Sequence, residues 1–385
     1  VGERSIAPVR AFAAFVSVFA SLAATAASLP EFPPNAVWNR DVSQAPLNPN
    51  STAMLNHLQS LGGWGSGATS FQIDFSFYVL HAANGIATTP VTPLGGADSY
   101  YYPDCGDFHT PPQAPEPLPI PLPPGGGIEG TGPPYVVSPP SYTCDNNHND
   151  CHMLIVQGNT LYESGNSNVV NGQVQSECAL TWDLTKVYPP QGRGEQCTST
   201  DGAGFPVAPL LFNADEIYTA EQKQNGDLGH AIRFILPNPR MMKGAYVHPA
   251  NHAGAPSDTN SNAVPYGSRL RLKASFPVST FVAGNHADGG NAADAAARVL
   301  LRTLQKYGMV LADGGNVPLT AESDYYTTHK WSELGMDPTT QTGAQLLFGV
   351  QVTDFEIVYS GDPITLTYNC APTPADFIFI DGFDY

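Results

Sequence analysis

The sequence predicts a mainly β protein: an antiparallel, sandwich or jelly-roll-like single domain with one packed helix. Three observations favour this fold class. Short apolar or alternating runs recur along the chain, only one long segment has helical periodicity, and turn residues are abundant, with 37 glycines and 36 prolines in 385 residues. Charged residues supply 13% of the chain, about half the usual share. Backbone turns are therefore expected to matter more than surface ion pairs.

The first residues of the chain predict a secretory signal peptide over residues 1–26. Arg4 and Arg10 precede an apolar run that ends in Ala24-Thr25-Ala26, which is the charged, apolar and small-residue order of an export signal. The run is shorter than the ~20 apolar residues that a membrane-spanning helix needs. We therefore expect a secreted, periplasmic or cell-surface protein that is not inserted in a membrane after signal removal.

Composition divides the rest of the chain into four parts. Residues 27–110 are expected to form the N-terminal part of the β domain, 111–140 a Pro/Gly-rich loop or linker, 141–370 the main β-rich domain and 371–385 a C-terminal tail. The prolines and glycines of 111–140 predict an exposed polyproline segment without strand pairing.

Strand patterns lie on both sides of this loop. In FQIDFSFYV, strict alternation places on one face Phe71, Ile73, Phe75, Phe77 and Val79. Further along, MLIVQ and TLYES flank Gly158-Asn159, a two-residue hairpin signal. Other predicted strands are CALTWDLTKV, HAIRFIL, RLRLKASF, MVLAD, DFEIVY and ITLTYN.

A short helical piece is predicted at TAMLNHLQSL, before Gly62-Gly63, and one packed helix within NAADAAARVLLRTLQKYG. Ala297, Leu300, Leu301 and Leu304 form an apolar stripe at helical spacing, and Gly308 is placed to cap the C-terminus. We expect this stripe to pack against the β core.

Six cysteines fit an exported, disulfide-bonded protein: Cys105, Cys144, Cys151, Cys178, Cys197 and Cys370. Sequence alone allows about 15 pairings of six cysteines. The close pairs Cys144/Cys151 and Cys178/Cys197 each bracket a polar loop, which favours those two bridges and leaves Cys105 for Cys370.

Five segments occur in a familiar order: HAIRFIL, GAYVHPANHAG, RLRLKASF, KYGMVLADGG and DFEIV. In this order the chain resembles a functionally uncharacterised family of exported bacterial proteins, over roughly residues 150–358. It departs from that pattern at His248, where the family carries Trp. The resemblance implies no activity.

The charge of the chain limits its partners. The formal net charge is −18, so nucleic acid and anionic membrane surfaces are repelled. A neutral or lightly charged polysaccharide is compatible with that charge. We therefore expect a secreted carbohydrate-active hydrolase with a carboxylate acid/base pair.

Three carboxylates are the candidate catalytic residues, because glycoside hydrolysis needs one protonated and one ionised carboxyl. Glu163 follows Tyr162 in a hairpin strand, where an aromatic ring could stack on a sugar. Asp201 in DGAGFP and Asp313 in LADGGN precede glycines that leave room for a ligand.

Candidate substrate-binding residues surround these acids in the sequence. Arg233, Tyr246 and His252 would orient the sugar, and Trp182 or Trp331 would stack on it. Arg271 lies on the basic face of RLRLKA, which predicts either a structural set of ion pairs or a clamp for substrate.

No cofactor is expected, but two metal sites are conceivable from the sequence. In CDNNHNDC, alternating Asp145, Asn147 and Asn149 suggest Ca²⁺, although a disulfide-closed turn explains the same residues. In HPANH, His248 and His252 would need a third ligand, for which the candidates are His230, His286 and Asp288; a structural loop is the alternative.

Two other functions stay open. A non-catalytic extracellular glycan-binding or surface protein predicts a shallow aromatic face without carboxyls about 5–10 Å apart. A polysaccharide lyase predicts a basic cleft, in which Tyr246 or His252 abstracts a proton and Arg233 or Arg271 neutralises a uronate.

Overall fold

The computed structural model describes residues 2, 28–95, 100–101, 104–105, 118–130, 150–284, 290–336 and 344–373. The fold is mainly β, with 28% strand and 18% helix. Three α-helices lie in the described part: α1 (Ser51–Ser60), which the TAMLNHLQSL pattern predicted, α2 (Ala214–Glu221), which was not predicted, and α3 (Gly290–Lys306), the predicted packed helix. Short 3-10 helices are formed by Val37–Asn39, Ala208–Leu210, Asn238–Arg240, Val278–Thr280, Trp331–Leu334 and Val352–Asp354. No described helix is long and apolar enough to cross a bilayer.

Nineteen strands can be assigned within the described ranges. They are β1 (Ile73–Phe77), β2 (Val79–His81), β3 (Thr88–Pro93), β4 (Pro119–Pro121), β5 (Met153–Gln157), β6 (Thr160–Gly165), β7 (Asn168–Val170), β8 (Gln173–Ser176), β9 (Cys178–Asp183), β10 (Gly194–Glu195), β11 (Ile232–Leu236), β12 (Met241–Tyr246), β13 (Val264–Tyr266), β14 (Arg269–Leu272), β15 (Met309–Gly314), β16 (Leu319–Glu322), β17 (Phe355–Ile357), β18 (Ile364–Thr365) and β19 (Ala371–Pro372). Their sheet orders are β1-β16-β11-β15-β14-β17, β2-β5-β6-β9, β4-β3-β8-β7, β13-β12-β18 and β10-β19.

The six-stranded sheet is mixed, so the expectation of a purely antiparallel sheet is wrong. β11 and β15 run parallel, with Ile232 opposite Met309, and β1 runs parallel to β16. β14 is antiparallel to both β15 and β17. Parallel neighbours require a long crossover, and the segment between β11 and β15 provides one that includes α3. The sheets are not closed and do not form a clear jelly-roll sandwich.

The buried faces of one strand segment and of helix α3 were predicted correctly from the sequence. Phe71, Ile73, Phe77 and Val79 lie buried in one hydrophobic cluster, with Phe75 packed against it, as the alternation predicted. The helix is also confirmed. All four residues of its predicted stripe are fully buried, and Gly308 ends it with φ +68°.

The β5–β6 hairpin is confirmed and lies between two hydrophobic clusters. Gln157 pairs with Thr160 across the predicted two-residue turn. Leu154 faces the larger cluster, whereas Met153 and Ile155 face the smaller one. Because both faces of β5 are buried, its sequence is a continuous apolar run rather than an alternation.

Part of the Pro/Gly-rich segment belongs to a sheet. In the described residues 118–130, β4 pairs antiparallel with β3, with Ile120 opposite Thr89. Ile120 and Ile128 are fully buried. The expectation of an unpaired loop is therefore wrong here, since an edge strand such as β4 tolerates proline.

Disulfide pairing differs from the sequence expectation. The bridges are Cys105–Cys178 and Cys197–Cys370, and Cys151 is disulfide-bonded as well; its expected partner lies outside the described residues. Antiparallel pairing of β10 with β19 brings Cys197 to Cys370, whose Cα atoms are 4.4 Å apart. Sheet pairing, rather than sequence spacing, decided which cysteines meet. These bridges fit a protein of an oxidising compartment.

Candidate functional site

A cleft of about 660 Å³ is lined by loops and strand ends from most of the chain. Its lining includes five carboxylates and four tyrosines, and no lysine or arginine is found among the described residues of this lining. The carboxylates are Asp104, Asp150, Glu177, Asp201 and Asp313, and the tyrosines are Tyr100, Tyr101, Tyr266 and Tyr368. A second cavity, of about 330 Å³ beside His230 and Glu216, lacks such a cluster.

Asp313 lies near the end of β15 and is held by two backbone amides. The amide of Gly202 donates to its Oδ2 at 3.1 Å, and the amide of Gly314 donates to its Oδ1 at 2.7 Å. Burial and the negative charge of Asp201 raise the pKa of Asp313 to about 6, against the opposing charge of Arg233. The cleft therefore contains a carboxyl that titrates near neutral pH.

Asp201 lies fully buried in the lining of the cleft. Its Oδ2 accepts a hydrogen bond from Arg233 Nε at 3.1 Å, and Arg233 Nη1 donates to Thr320 Oγ1 at 3.0 Å. Its Oδ1 is buried and has no hydrogen-bond partner in the described structure. Burial raises the pKa of Asp201, and the guanidinium of Arg233 opposes that rise. The structure thus brings together three residues singled out from the sequence: Asp201, Arg233 and Asp313.

Glycines allow these groups to approach the backbone closely. A Cβ at Gly202 would lie 2.6 Å from Asp313 Oδ1 and 3.2 Å from Tyr266 Cε1. A Cβ at Gly254 would lie 3.1 Å from the hydroxyl of Tyr266. The DGAG and NHAG turns are therefore part of the shape of the cleft.

His252, from the HPANH segment, also lines the cleft. Its Nδ1–H donates to the carbonyl of Gly202 at 3.0 Å. Burial lowers the pKa of His252, so its imidazole is neutral at pH 7. Tyr266 is fully buried, and its hydroxyl has no hydrogen-bond partner in the described structure.

Three cleft carboxylates were missed by the sequence analysis. Asp104 Oδ2 accepts from the Thr198 amide at 2.7 Å, and Glu177 Oε2 accepts from Asn166 Nδ2 at 2.6 Å. Asp150 is exposed. Each of these acids directly precedes a disulfide-bonded cysteine in the sequence, a signal that could have located them: Asp104-Cys105, Asp150-Cys151 and Glu177-Cys178.

A buried ion pair supports this part of the cleft. His152 Nδ1 lies 2.6 Å from Glu129 Oε2, and its Nε2–H donates to the Thr200 carbonyl at 2.6 Å. Burial alone would lower the pKa of His152, but the charge and hydrogen bond of Glu129, with the charge of Asp150, raise it to about 10. A permanent imidazolium therefore fixes the loop that carries Thr200.

Glu163 and Trp182 lie outside the cleft. Glu163 is fully buried and accepts hydrogen bonds from the Val207 and Ala208 amides at 2.8 and 3.0 Å. Trp182 Nε1 donates to its other oxygen at 3.0 Å, and the Trp182 ring packs edge-on against Phe32. Both oxygens of Glu163 are thus occupied by the protein itself.

Tyr246 and Arg271 also lie away from the cleft. The Tyr246 hydroxyl donates a hydrogen bond to Glu195, which also contacts His248 Nε2 at 3.0 Å. Arg271 pairs with Glu356 at 2.7 Å and donates to backbone carbonyls of the N-terminal segment. The basic face of RLRLKA therefore anchors neighbouring strands.

The two histidines of HPANH have different surroundings, since His248 contacts Glu195 and His252 lines the cleft. No group of three or more His, Cys, Asp or Glu residues in the described ranges is arranged to hold a metal. His230 is placed elsewhere, 3.5 Å from Glu216. His286, Asp288, Asp145, Asn147 and Asn149 lie outside the described residues.

Comparison with protein-family models, curated proteins and solved structures found no match. The resemblance to exported bacterial proteins stays a prediction. Function is inferred below from the chemistry of the cleft.

Proposed function

We propose that the cleft is the active site of a secreted glycoside hydrolase that cleaves a polysaccharide. The observation that carries the proposal is the meeting of two accessible carboxylates, Asp150 and Asp313, in one tyrosine-lined cleft of about 660 Å³. Glycosidases use such a pair, one as proton donor and one as base or nucleophile.

Asp313 is the proton donor. Its carboxyl has a pKa of about 6 because it is buried beside the charge of Asp201, so at mildly acidic pH it carries a proton for the glycosidic oxygen. The amides of Gly202 and Gly314 fix its orientation. Asp201 lies beside it in the cleft lining, paired with Arg233, and its charge keeps the pKa of Asp313 raised.

Asp150 is the ionised partner. Partial desolvation inside the cleft and the charges of Asp313 and Glu129 raise its pKa, and the imidazolium of His152 opposes that rise and favours the charged form. Its exposure leaves it open to a water molecule or a sugar carbon. Asp150 thus joins Asp313 in the catalytic pair for which the sequence favoured Glu163 and Asp201.

Tyrosines supply the sugar-binding surface in place of Trp182. Tyr101 is 52% exposed and Tyr368 is 68% exposed, and both line the cleft. Tyr368 packs edge-on against His252, with ring centroids 5.6 Å apart. Exposed aromatic faces beside hydrogen-bonding groups suit the apolar faces and hydroxyls of a sugar.

Charge favours hydrolysis over a lyase reaction. A lyase acting on uronates needs cations at the substrate carboxylate, whereas acids dominate the described lining of this cleft. Arg233 is paired with Asp201 beneath the surface, and Arg271 lies elsewhere. A simple binding protein does not need carboxylates in its cleft, whereas the lining of this one includes five.

The test is incubation of the disulfide-bonded, exported protein with a panel of polysaccharides, followed by mass spectrometry of the products. Products that gain one water establish hydrolysis. We expect kcat/KM to fall as pH rises through about 6, because Asp313 then loses the proton that it must donate.

Asp313→Asn should lower kcat about a hundredfold or more, and Asp150→Asn should do the same. The control is Asp362→Asn, which removes one negative charge at an exposed position outside the cleft and should leave kcat unchanged. Products that lack water would establish a lyase instead. Retention on one polymer without any product would establish a binding protein.

A further inference from the structure

The cleft contains two buried oxygen atoms without hydrogen-bond partners. Asp201 Oδ1 and the Tyr266 hydroxyl are buried and have no partner in the described structure, and both residues have no exposed surface. Both residues line the cleft. Buried polar groups are nearly always hydrogen-bonded, and an unpaired one is costly. The ionised carboxylate oxygen can only accept a hydrogen bond, and the tyrosine hydroxyl can accept as well as donate, so a group that donates hydrogen bonds satisfies both atoms.

The walls of the cleft carry four further carboxylates. Asp104, Asp150, Glu177 and Asp313 form no ion pair with lysine or arginine in the described structure. Asp104, Glu177 and Asp313 accept hydrogen bonds from uncharged amides instead. His252, a histidine of the described lining, is held neutral by burial. The cleft as a whole therefore favours a cation.

We propose that the polysaccharide bound in this cleft is a polymer of amino sugars with free, protonated amines. This inference rests on the proposed function, whose substrate class it names. An ammonium group supplies three N–H donors and no acceptor, whereas a sugar hydroxyl supplies one donor. An ammonium at the cleft floor satisfies Asp201 Oδ1 and the Tyr266 hydroxyl together, and the wall carboxylates attract the amines of neighbouring sugars.

The experiment compares glucosamine hexamer with N-acetylglucosamine hexamer and galacturonate hexamer. Acetylation removes the positive charge and leaves the sugar ring unchanged, so the first pair isolates the amine. Binding is measured by calorimetry with Asp313→Asn, which blocks turnover, and cleavage is measured with the unaltered protein. We expect glucosamine hexamer to bind at least about tenfold more tightly than its acetylated form, and galacturonate hexamer not to bind.

Tyr266→Phe is the sharpest variant. Its hydroxyl has no protein partner, so its removal should leave thermal stability unchanged or higher and still weaken glucosamine hexamer binding about tenfold. The matched control is Tyr188→Phe, outside the cleft, whose hydroxyl accepts from the Asp183 amide at 2.9 Å. That variant should lose stability and keep the preference for the amine.

Glu177→Gln tests the wall carboxylates, because glutamine keeps an oxygen for Asn166 and removes the charge. We expect about three- to fivefold weaker glucosamine hexamer binding, and no change for Asp362→Asn.

Equal or tighter binding of the acetylated hexamer overturns the amine proposal, and its cleavage would leave the hydrolase assignment intact. Preferential binding of glucosamine hexamer without cleavage of either sugar supports the ligand class and overturns the hydrolase assignment.

Discussion

At Gly202 the absence of a side chain sets the position of the proposed acid. A methyl group there would lie 2.6 Å from Asp313 Oδ1, closer than atoms can approach. Gly202→Ala should therefore displace the carboxyl and lower kcat on the order of 100-fold, since small misplacements of catalytic groups have such effects.

The matched control is Gly165→Ala in the same cleft. A Cβ at Gly165 meets Thr200 at 3.5 Å, an ordinary van der Waals distance, so kcat should change little. Both variants should be compared by circular dichroism. If they lower kcat equally, the close approach of Gly202 to Asp313 is not what shapes the site.

Glu163, in contrast to Gly202, is expected to affect stability and not catalysis. Its oxygens accept from two backbone amides and from Trp182, so Glu163→Gln would place an amide NH₂ against an N–H donor. We expect a loss of about 2 to 4 kcal/mol in the free energy of unfolding, measured in urea, with kcat unchanged for the folded fraction. A loss of kcat at full stability would make Glu163 catalytic after all.

Among the structural elements, the Cys105–Cys178 bridge holds one wall of the cleft, because its neighbours in sequence are Asp104 and Glu177. The paired variant Cys105→Ser/Cys178→Ser opens a loop of 73 residues, for which loop entropy gives about 4 kcal/mol of lost stability. At temperatures where this variant remains folded, we expect KM to rise and kcat to persist. A lost kcat with unchanged KM would place the bridge in the chemistry of Asp150 and Asp313.

Elements whose signal is local were predictable from the sequence. The β5–β6 hairpin depends on Gly158-Asn159 and its flanking runs, and α3 on an apolar stripe and Gly308. Sheet order was not predictable, because the parallel pairing of β11 with β15 joins segments that are far apart in sequence. The same limit explains the disulfide pairing.

The candidate site was predictable only where glycine marked it. Asp201 and Asp313 were selected because glycines follow them, and both line the cleft. Asp150 and Tyr266 carried no such signal, since their roles arise from loops that meet only in three dimensions. The presence of an arginine in the sequence did not show where its side chain would lie. Arg233 lies beneath the cleft, and Arg271 lies between strands.

Across the whole molecule, several buried groups have a raised pKa in the folded protein. Burial raises the pKa of Asp313 to about 6 and that of Glu322 to about 8, and Glu129 raises that of His152 to about 10. The ordinary values are 3.8, 4.5 and 6.5. In each case the folded state binds the proton more tightly than the unfolded chain does. Each contribution is complete below the ordinary pKa and is lost as pH rises through the folded-state value.

The pH windows of these three groups adjoin one another, so together they lower the free energy of unfolding as pH rises from about 4 to about 10, while groups with lowered pKa values such as Glu129 and His252 act in the opposite direction up to about pH 6.5. The net charge of −18 adds to the lowering through self-repulsion. Urea unfolding at pH 5, 7 and 9 measures the fall. Glu322 accepts from Asn213 at 2.9 Å, an interaction that glutamine preserves, so Glu322→Gln should flatten the curve between about pH 4.5 and 8 and leave the fall above pH 8 to His152. Stability that stays level or rises from pH 5 to pH 9 would show that these buried groups are not protonated in the folded protein.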